Sequence, residues 1–196
     1  MKIEKLPSAN KLETPLLLIV EDKESIRNEL ARNLRSKGFH TLIAPDGDQA
    51  LGLIRLYGKM VDAIVTDYNM SKDGSHNADY LLREMAAEKL PMKPTVLYTS
   101  EPSNALRSMY DVLAIQTRSE YTDAPEPTAE MQAEVEGDVA RLTKYRFSNT
   151  ETGLTLHVVP KTMNMIKDIT GSNGVIAQLV DMGVTLPTHP SQSAQV

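Results

Sequence analysis

The chain has 196 residues, 41% apolar and 24% charged, the balance of a globular protein able to bury a core as one domain with an appendage or as two small ones. It contains no cysteine, which excludes a disulfide framework, a thiolate metal site and a cysteine nucleophile, and fits a reducing compartment. The net charge of -5 argues against non-specific nucleic-acid binding by the whole chain, and the acidity is concentrated in residues 121–140, which carry six acidic groups and no basic one.

No window approaches the roughly 18 consecutive apolar residues of a membrane span. The opening MKIEKLPSANKLETP, residues 1–14 of which read as a tail, lacks the apolar core of a signal peptide, so a cytoplasmic protein without membrane insertion is expected. From Pro15 short apolar runs alternate with amphipathic stretches, the pattern of a parallel sheet with crossover helices. Five strands are read at Leu16 to Val20, Thr41 to Ala44, Ala63 to Thr66, Thr95 to Tyr98 and Val112 to Ile115. Between them Ile26, Leu30 and Leu34 recur every four residues, Gln49 to Leu56 forms a helix, and Ala78, Leu81, Leu82 and Met85 share one helical face. A fourth helix starts after Glu101-Pro102-Ser103. A fifth carries Met131, Val135, Val139 and Leu142 on one face, and the acidic segment is this helix's solvated side and its loop. The expected class is α/β, a (βα)5 unit over residues 15–143.

Beyond Lys144 the pattern changes. Tyr145 to Phe147 and Leu154 to Val159, joined across Ser148 to Gly153, read as a β-hairpin. Met163, Met165, Ile166 and Ile169 before Gly171 to Gly174, and Val175, Ile176, Leu179, Val180 and Met182 after it, read as two short helices. Residues 144–196 are therefore expected as a small α+β extension, frayed from about 186.

In an open parallel sheet the carboxyl ends of the strands line the ligand crevice. Here LLLIV runs into Glu21-Asp22, DAIVT into Asp67, and TVLY into Thr99-Ser100. If the first and third strands are neighbours, three carboxylates converge; they repel one another unless a counter-cation is present, and magnesium suits such an open carboxylate cluster. Asp67 is then also a candidate nucleophile toward phosphorus, with Thr99 placed to stabilise phosphoryl oxygens. Singly, each acid reads as a turn former or helix cap. Placed together at three strand ends they read as a site.

The run LLLIVEDKESIRNELARNLRSKGFHTLIAPDGDQALGLI followed by VDAIVTDYNMSKDG resembles a response-regulator receiver domain, the phospho-acceptor of two-component signalling. The resemblance covers about residues 15–143. It implies a doubly wound sheet of order 2-1-3-4-5, Mg2+ held by Glu21, Asp22, Asp67 and the main-chain carbonyl of Asn69, and phosphorylation of Asp67 by a sensor histidine kinase or phosphotransfer protein. It further implies that Thr99 contacts the phosphoryl group. Self-catalysed phosphorylation and dephosphorylation fall within this reading, and no separate enzymatic output is expected.

Three departures stand out. Met70-Ser71 replaces the usual Met-Pro. Residues 94–143 hold no lysine, and Gln116-Thr117-Arg118-Ser119 stands for the usual Thr-Lys-Pro, which puts Arg118 in the lysine position and Ile115 in that of the switch aromatic. Arg118 either pairs with Asp67 or phosphate or is a solvated strand-end charge, and arginine is not a conservative stand-in for lysine there. His40, His76, His157 and His189 have no metal-ligand spacing and default to surface roles. Met163, Met165 and Met182 read as helix packing, with a partner surface as the alternative.

For the output, an interaction module, with a homodimer as the expected assembly, is favoured over a DNA reader, because residues 161–196 hold only Lys161 and Lys167 as basic groups. A phosphorylation-independent binding module is the second broad alternative.

Overall fold

Apolar runs buried on both faces make parallel strands, and here four such runs are followed by amphipathic or polar stretches that return the chain to the same edge. The computed structural model describes residues 14–70, 77–101, 146–149 and 154–187, with 146–149 described by backbone alone. In chain order its elements are β1 (Leu16–Val20), α1 (Glu24–Ser36), β2 (His40–Ala44), α2 (Gly47–Tyr57), β3 (Val61–Thr66), α3 (Ala78–Ala87) and β4 (Thr95–Thr99). These are followed by β5 (Arg146–Asn149), β6 (Leu154–Pro160), α4 (Met165–Thr170) and α5 (Val175–Asp181).

The six strands form one sheet of order β2-β1-β3-β4-β6-β5. The first five in that row are parallel, and β5 pairs antiparallel with β6 at the far edge. Counted along the chain, the five parallel strands run 2-1-3-4-5, the doubly wound arrangement of CheY-like folds. The sequence-predicted hairpin and the pair of short helices are both present.

One assignment is corrected. The place beside β4 that the sequence reading gave to Val112 to Ile115 is held by β6, paired from Thr95–Leu156 to Thr99–Pro160. The sheet therefore continues past residue 143, with β6 as its fifth parallel strand. Both runs are short and apolar, and local pattern does not rank them. Leu154–Pro160 is longer and is buried on both faces of the sheet. Val112 to Ile115, Arg118, the expected fourth and fifth helices, the N-terminal segment before residue 14, His76 and His189 lie outside the described residues.

Two layers enclose the sheet. On one side Leu16, Leu18, Val20, Ile64, Leu97, Leu156 and Val158 pack with α2 and α3 through Leu51, Ile54, Leu81 and Met85. On the other, Leu17, Ile19, Val65, Val96, Tyr98 and Val159 pack with Leu30 and Leu34 of α1, Ile169 of α4, and Val175 and Leu179 of α5. Truncating one of these leucines to alanine costs about 2–5 kcal/mol. Local signals set the helix ends: Asp46 caps α2 by accepting from Gln49 N at 2.8 Å, and Gly38, at φ 92°, ends α1 in the left-handed conformation that a Cβ disfavours. Among the described residues no helix is long and apolar enough to cross a membrane.

Candidate functional site

The carboxyl ends of β1, β3, β4 and β6 meet at one edge of the sheet, and each ladder continues one residue into the site. Glu21 N donates to Ala44 O (3.1 Å), Asp67 N to Val20 O (2.8 Å), and Lys161 N to Thr99 O (2.8 Å). These backbone bonds aim the side chains before any side-chain contact forms. Glu21 is 1% exposed and Asp67 5%, whereas Asp22 is exposed. One carboxylate oxygen from each of the three lies within 4.8 Å of the others. Arg27, one helical turn into α1, donates through Nη1 to the carbonyls of Glu21 (2.6 Å) and Asp22 (3.2 Å) and so holds the acidic turn.

The cation in the cluster is Lys161, the residue after β6. Its Nζ donates to Glu21 Oε2 at 2.7 Å and to Asp67 Oδ2 at 2.5 Å, with the side chain only 10% exposed. Asp67 Oδ1 accepts from Tyr68 N at 2.7 Å, so both of its oxygens have donors. Burial pushes the Glu21 carboxyl above the ordinary carboxylate range; the Lys161 hydrogen bond and charge pull it down, and neighbouring Asp67 pushes it up again. Thr99, fully buried at the end of β4, accepts from Glu101 N at 3.1 Å through Oγ1. Asn69 is half-buried two residues beyond Asp67.

The donor set fits a hard divalent cation. Three carboxylates face one another, one at the solvent edge where water ligands can complete the shell, and the buried pair repels itself without a cation. Of the residues singled out in the sequence, Glu21, Asp22 and Asp67 are brought together, and Thr99 ends the adjoining strand.

Arg118 lies outside the described residues; among the described residues the cation in the pocket is Lys161, a compact point charge that burial and two carboxylates immobilise. The sequence signal for it was present. Leu154 to Val159 is an apolar run that ends in a charged residue, as the runs before Glu21 and Asp67 do. By the spacing that set Ile115 before Arg118, Val158 stands three residues before Lys161, so that position is again aliphatic.

Further residues that the sequence did not single out lie beside the site. Asp168, 6% exposed on α4, accepts from Thr162 N (2.7 Å), Thr162 Oγ1 (2.6 Å) and Tyr98 OH (3.1 Å). The Tyr98 phenol is raised above the usual phenol range, first by burial and then by the charge of Asp168. His157 is not a surface residue. It is 3% exposed on β6, with Nδ1 2.8 Å from Gln178 Oε1 of α5, because its position on the strand faces the α5 layer. His40 is exposed as expected, Met165 and Met182 pack on the α1 side of the sheet, and Met163 is fully exposed.

An acidic cluster at the strand ends of a doubly wound sheet is thus bridged by the lysine that follows the fifth parallel strand. No protein-family model matches the chain. Over 81 residues, 41% of the chain, it is 36% identical to a response regulator described as NtrX-like from Rickettsia conorii, and 35% identical over the same length to its counterpart from Rickettsia felis. The chain spans 16% of the length of these relatives.

Among solved structures, a response-regulator receiver domain from Clostridium thermocellum aligns with TM-score 0.43 and 21% identity over 50% of this chain and 75% of that one. The Vibrio cholerae chemotaxis protein CheY4 gives 0.43 and 24% over 50% and 80%. At such scores the likeness adds nothing to the strand order read directly from the sheet. The strand order is that of a doubly wound fold, and over the matched 81 residues the chain is similar to response regulators.

Proposed function

We propose that the chain is a phospho-acceptor of two-component signalling, receiving a phosphoryl group on Asp67 from a phosphohistidine of a sensor histidine kinase or phosphotransfer protein. The observation that carries this reading is the Lys161 ammonium bridging Glu21 and Asp67, with the Asp22 carboxylate in reach. In the transfer an Asp67 carboxylate oxygen forms a bond to phosphorus as the phosphorus–nitrogen bond breaks, and the departing imidazole takes up a proton. Asp67 becomes an acyl phosphate.

Glu21, Asp22, Asp67 and the carbonyl of Asn69 would hold Mg2+, which when bound supplies charge neutralisation for the phosphoryl oxygens. Lys161 then has a second partner to hand, since a phosphoryl oxygen on Asp67 offers its ammonium a fresh anion. Thr99 stands at the adjoining strand end as a hydroxyl donor for the same group. The phosphorylation-independent alternative drew on Arg118 and Ile115, and Lys161 beside Asp67 supports the phospho-acceptor reading over it.

Intact-mass analysis after incubation with acetyl phosphate and magnesium tests the reading. A labile added phosphoryl group is expected on the native chain, with none on Asp67→Asn and a marked fall when magnesium is chelated. An equal gain on Asp67→Asn refutes the assignment.

The proposed output is protein–protein contact, including self-association. Met163 and Ile166 are exposed apolar residues immediately beyond Lys161, where a partner would cover them. Light scattering on the native chain and Ile166→Glu, each with and without acetyl phosphate, tests this. A dimer weakened by Ile166→Glu is expected, and an unaltered assembly state removes that surface.

A further inference from the structure

We infer that Asp168 is a positioning residue for Lys161: it clamps the peptide that follows the lysine and fixes the tyrosine ring beneath the ammonium, so that Nζ is held over Asp67. The inference rests on the reading of Asp67 as the phospho-acceptor.

Lys161 lies outside the strand, on a turn between β6 and α4, and a four-carbon side chain on a loose turn would not keep its ammonium between two carboxylates. The turn is pinned from both sides. Upstream, Lys161 N donates to Thr99 O of β4 at 2.8 Å. Downstream, the N–H of Thr162, the next residue, donates to Asp168 Oδ2 at 2.7 Å, while Thr162 Oγ1 donates to Asp168 Oδ1 at 2.6 Å. Thr162 Oγ1 also accepts from Asn164 N at 3.1 Å, and Asn164 Oδ1 caps α4 by accepting from Lys167 N at 3.0 Å. Residues 161–164 are thereby tied to α4 by side chains, with Asp168 at the centre.

The third donor to Asp168 points back to the site. Tyr98 OH donates to Asp168 Oδ2 at 3.1 Å, and the Tyr98 ring centroid lies 5.4 Å from Lys161 Nζ, within cation–π range. One carboxylate thus holds both the main chain next to the lysine and the ring under its ammonium. Thr162 has an N–H to offer, and the buried Asp168 takes it. Among the described residues Asp168 makes no ion pair shorter than 4.0 Å, so orienting the turn is what its buried charge does here.

A double-mutant cycle on the full chain tests the inference, with the phosphorylation rate from acetyl phosphate and magnesium read by intact mass. Asp168→Asn is expected to slow phosphorylation about tenfold in the otherwise native chain, and to change it by less than about twofold in a Lys161→Ala background, because misplacing one group costs rate only while that group is present. Equal slowing in both backgrounds, or none in the native one, overturns it. Thr162→Val, which removes one donor and keeps the N–H, is expected to act in the same direction more weakly, and substitutes for Asp168→Asn should that variant fail to fold.

An independent readout is the Lys161 signal in chain labelled with 13C at lysine Cε, assigned by its loss in Lys161→Ala. In Asp168→Asn it is expected to move to the position of the solvent-exposed lysines. An unmoved signal overturns the inference. A native chain that takes up no phosphoryl group refutes the phospho-acceptor reading, and the lysine signal still decides whether Asp168 positions Lys161.

Discussion

Two buried carboxylate clusters share the ends of β4 and β6, and consecutive residues feed them. Lys161 reaches Glu21 and Asp67 while Thr162 reaches Asp168; Thr99 bonds the Lys161 main chain while Tyr98 bonds Asp168. The first cluster is held by a cation. The second is held by a backbone N–H and two hydroxyls, all neutral.

The difference determines what each can do. Carboxylates neutralised by an ammonium can be neutralised by another cation in its place, because a metal ion also brings positive charge. A carboxylate satisfied by neutral donors has no such exchange, since losing one donor leaves a buried polar group unpaired at full desolvation cost. In the proposed reading the first cluster carries the chemistry and the second holds it in place.

The largest effect should come from removing what both clusters share. A chain ended at Lys144 loses β6, α4 and α5, and with them Leu156, Val158, Val159, Ile169, Val175 and Leu179 from the two cores. At about 1.5–3 kcal/mol for each buried side chain, the loss of about 9–18 kcal/mol is comparable with the whole roughly 5–15 kcal/mol of a typical domain. No cooperative urea transition is expected by circular dichroism; a native-like transition would show that the remaining sheet folds without β6.

Lys161→Met separates the two clusters. It strands Glu21 and Asp67 beside each other without a cation, and breaking a buried pair in this way costs about 3–5 kcal/mol. Urea unfolding with and without saturating magnesium measures the contrast directly. Most of the loss should be recovered with the metal, because a ligand that binds only the folded state stabilises it. An equal loss in both conditions would mean that the first cluster does not exchange its cation.

Asp168→Ala should cost about 2–3 kcal/mol by leaving the Thr162 N–H and the Tyr98 hydroxyl unpaired. Magnesium should recover only the part of this cost that comes from releasing Lys161 from Glu21 and Asp67, and a full recovery would erase the distinction between the clusters.

The smallest effect is a pH dependence. The Tyr98 phenol is raised in the folded state, so its contribution is fully present below its unfolded value of about 10 and is lost as pH rises toward the folded value. Tyr98→Phe should therefore cost about 1 kcal/mol near neutral pH, and the gap to the native chain should narrow above about pH 10. Urea titrations on either side of that pH check the sign; a gap that widens with pH refutes it.

Much of the first half of the fold is legible residue by residue. Leu16 to Val20 and Ala63 to Val65 are apolar on both faces, which is what a strand covered by two helical layers requires, and Glu21 and Asp67 follow them directly. Ile26, Leu30 and Leu34, and Leu81, Leu82 and Met85, mark helix faces at a period that no strand shares. The hairpin and the paired short helices were equally readable as local units. Asp168 was not, because a lone aspartate on a short apolar helix looks like a solvated charge until its three donors are in place.

The sequence alone therefore determined the α/β class, the acidic strand ends and the local elements, since each follows from periodicity or from neighbours within a few residues. Only the tertiary structure decided which apolar run sits beside β4, and with it that Lys161 reaches Asp67. Strand pairing is a non-local choice. Val112 to Ile115 and Leu154 to Val159 are similar local patterns, separated in merit by how well each fills the space between two helical layers, and that space exists only once the sheet and helices have assembled.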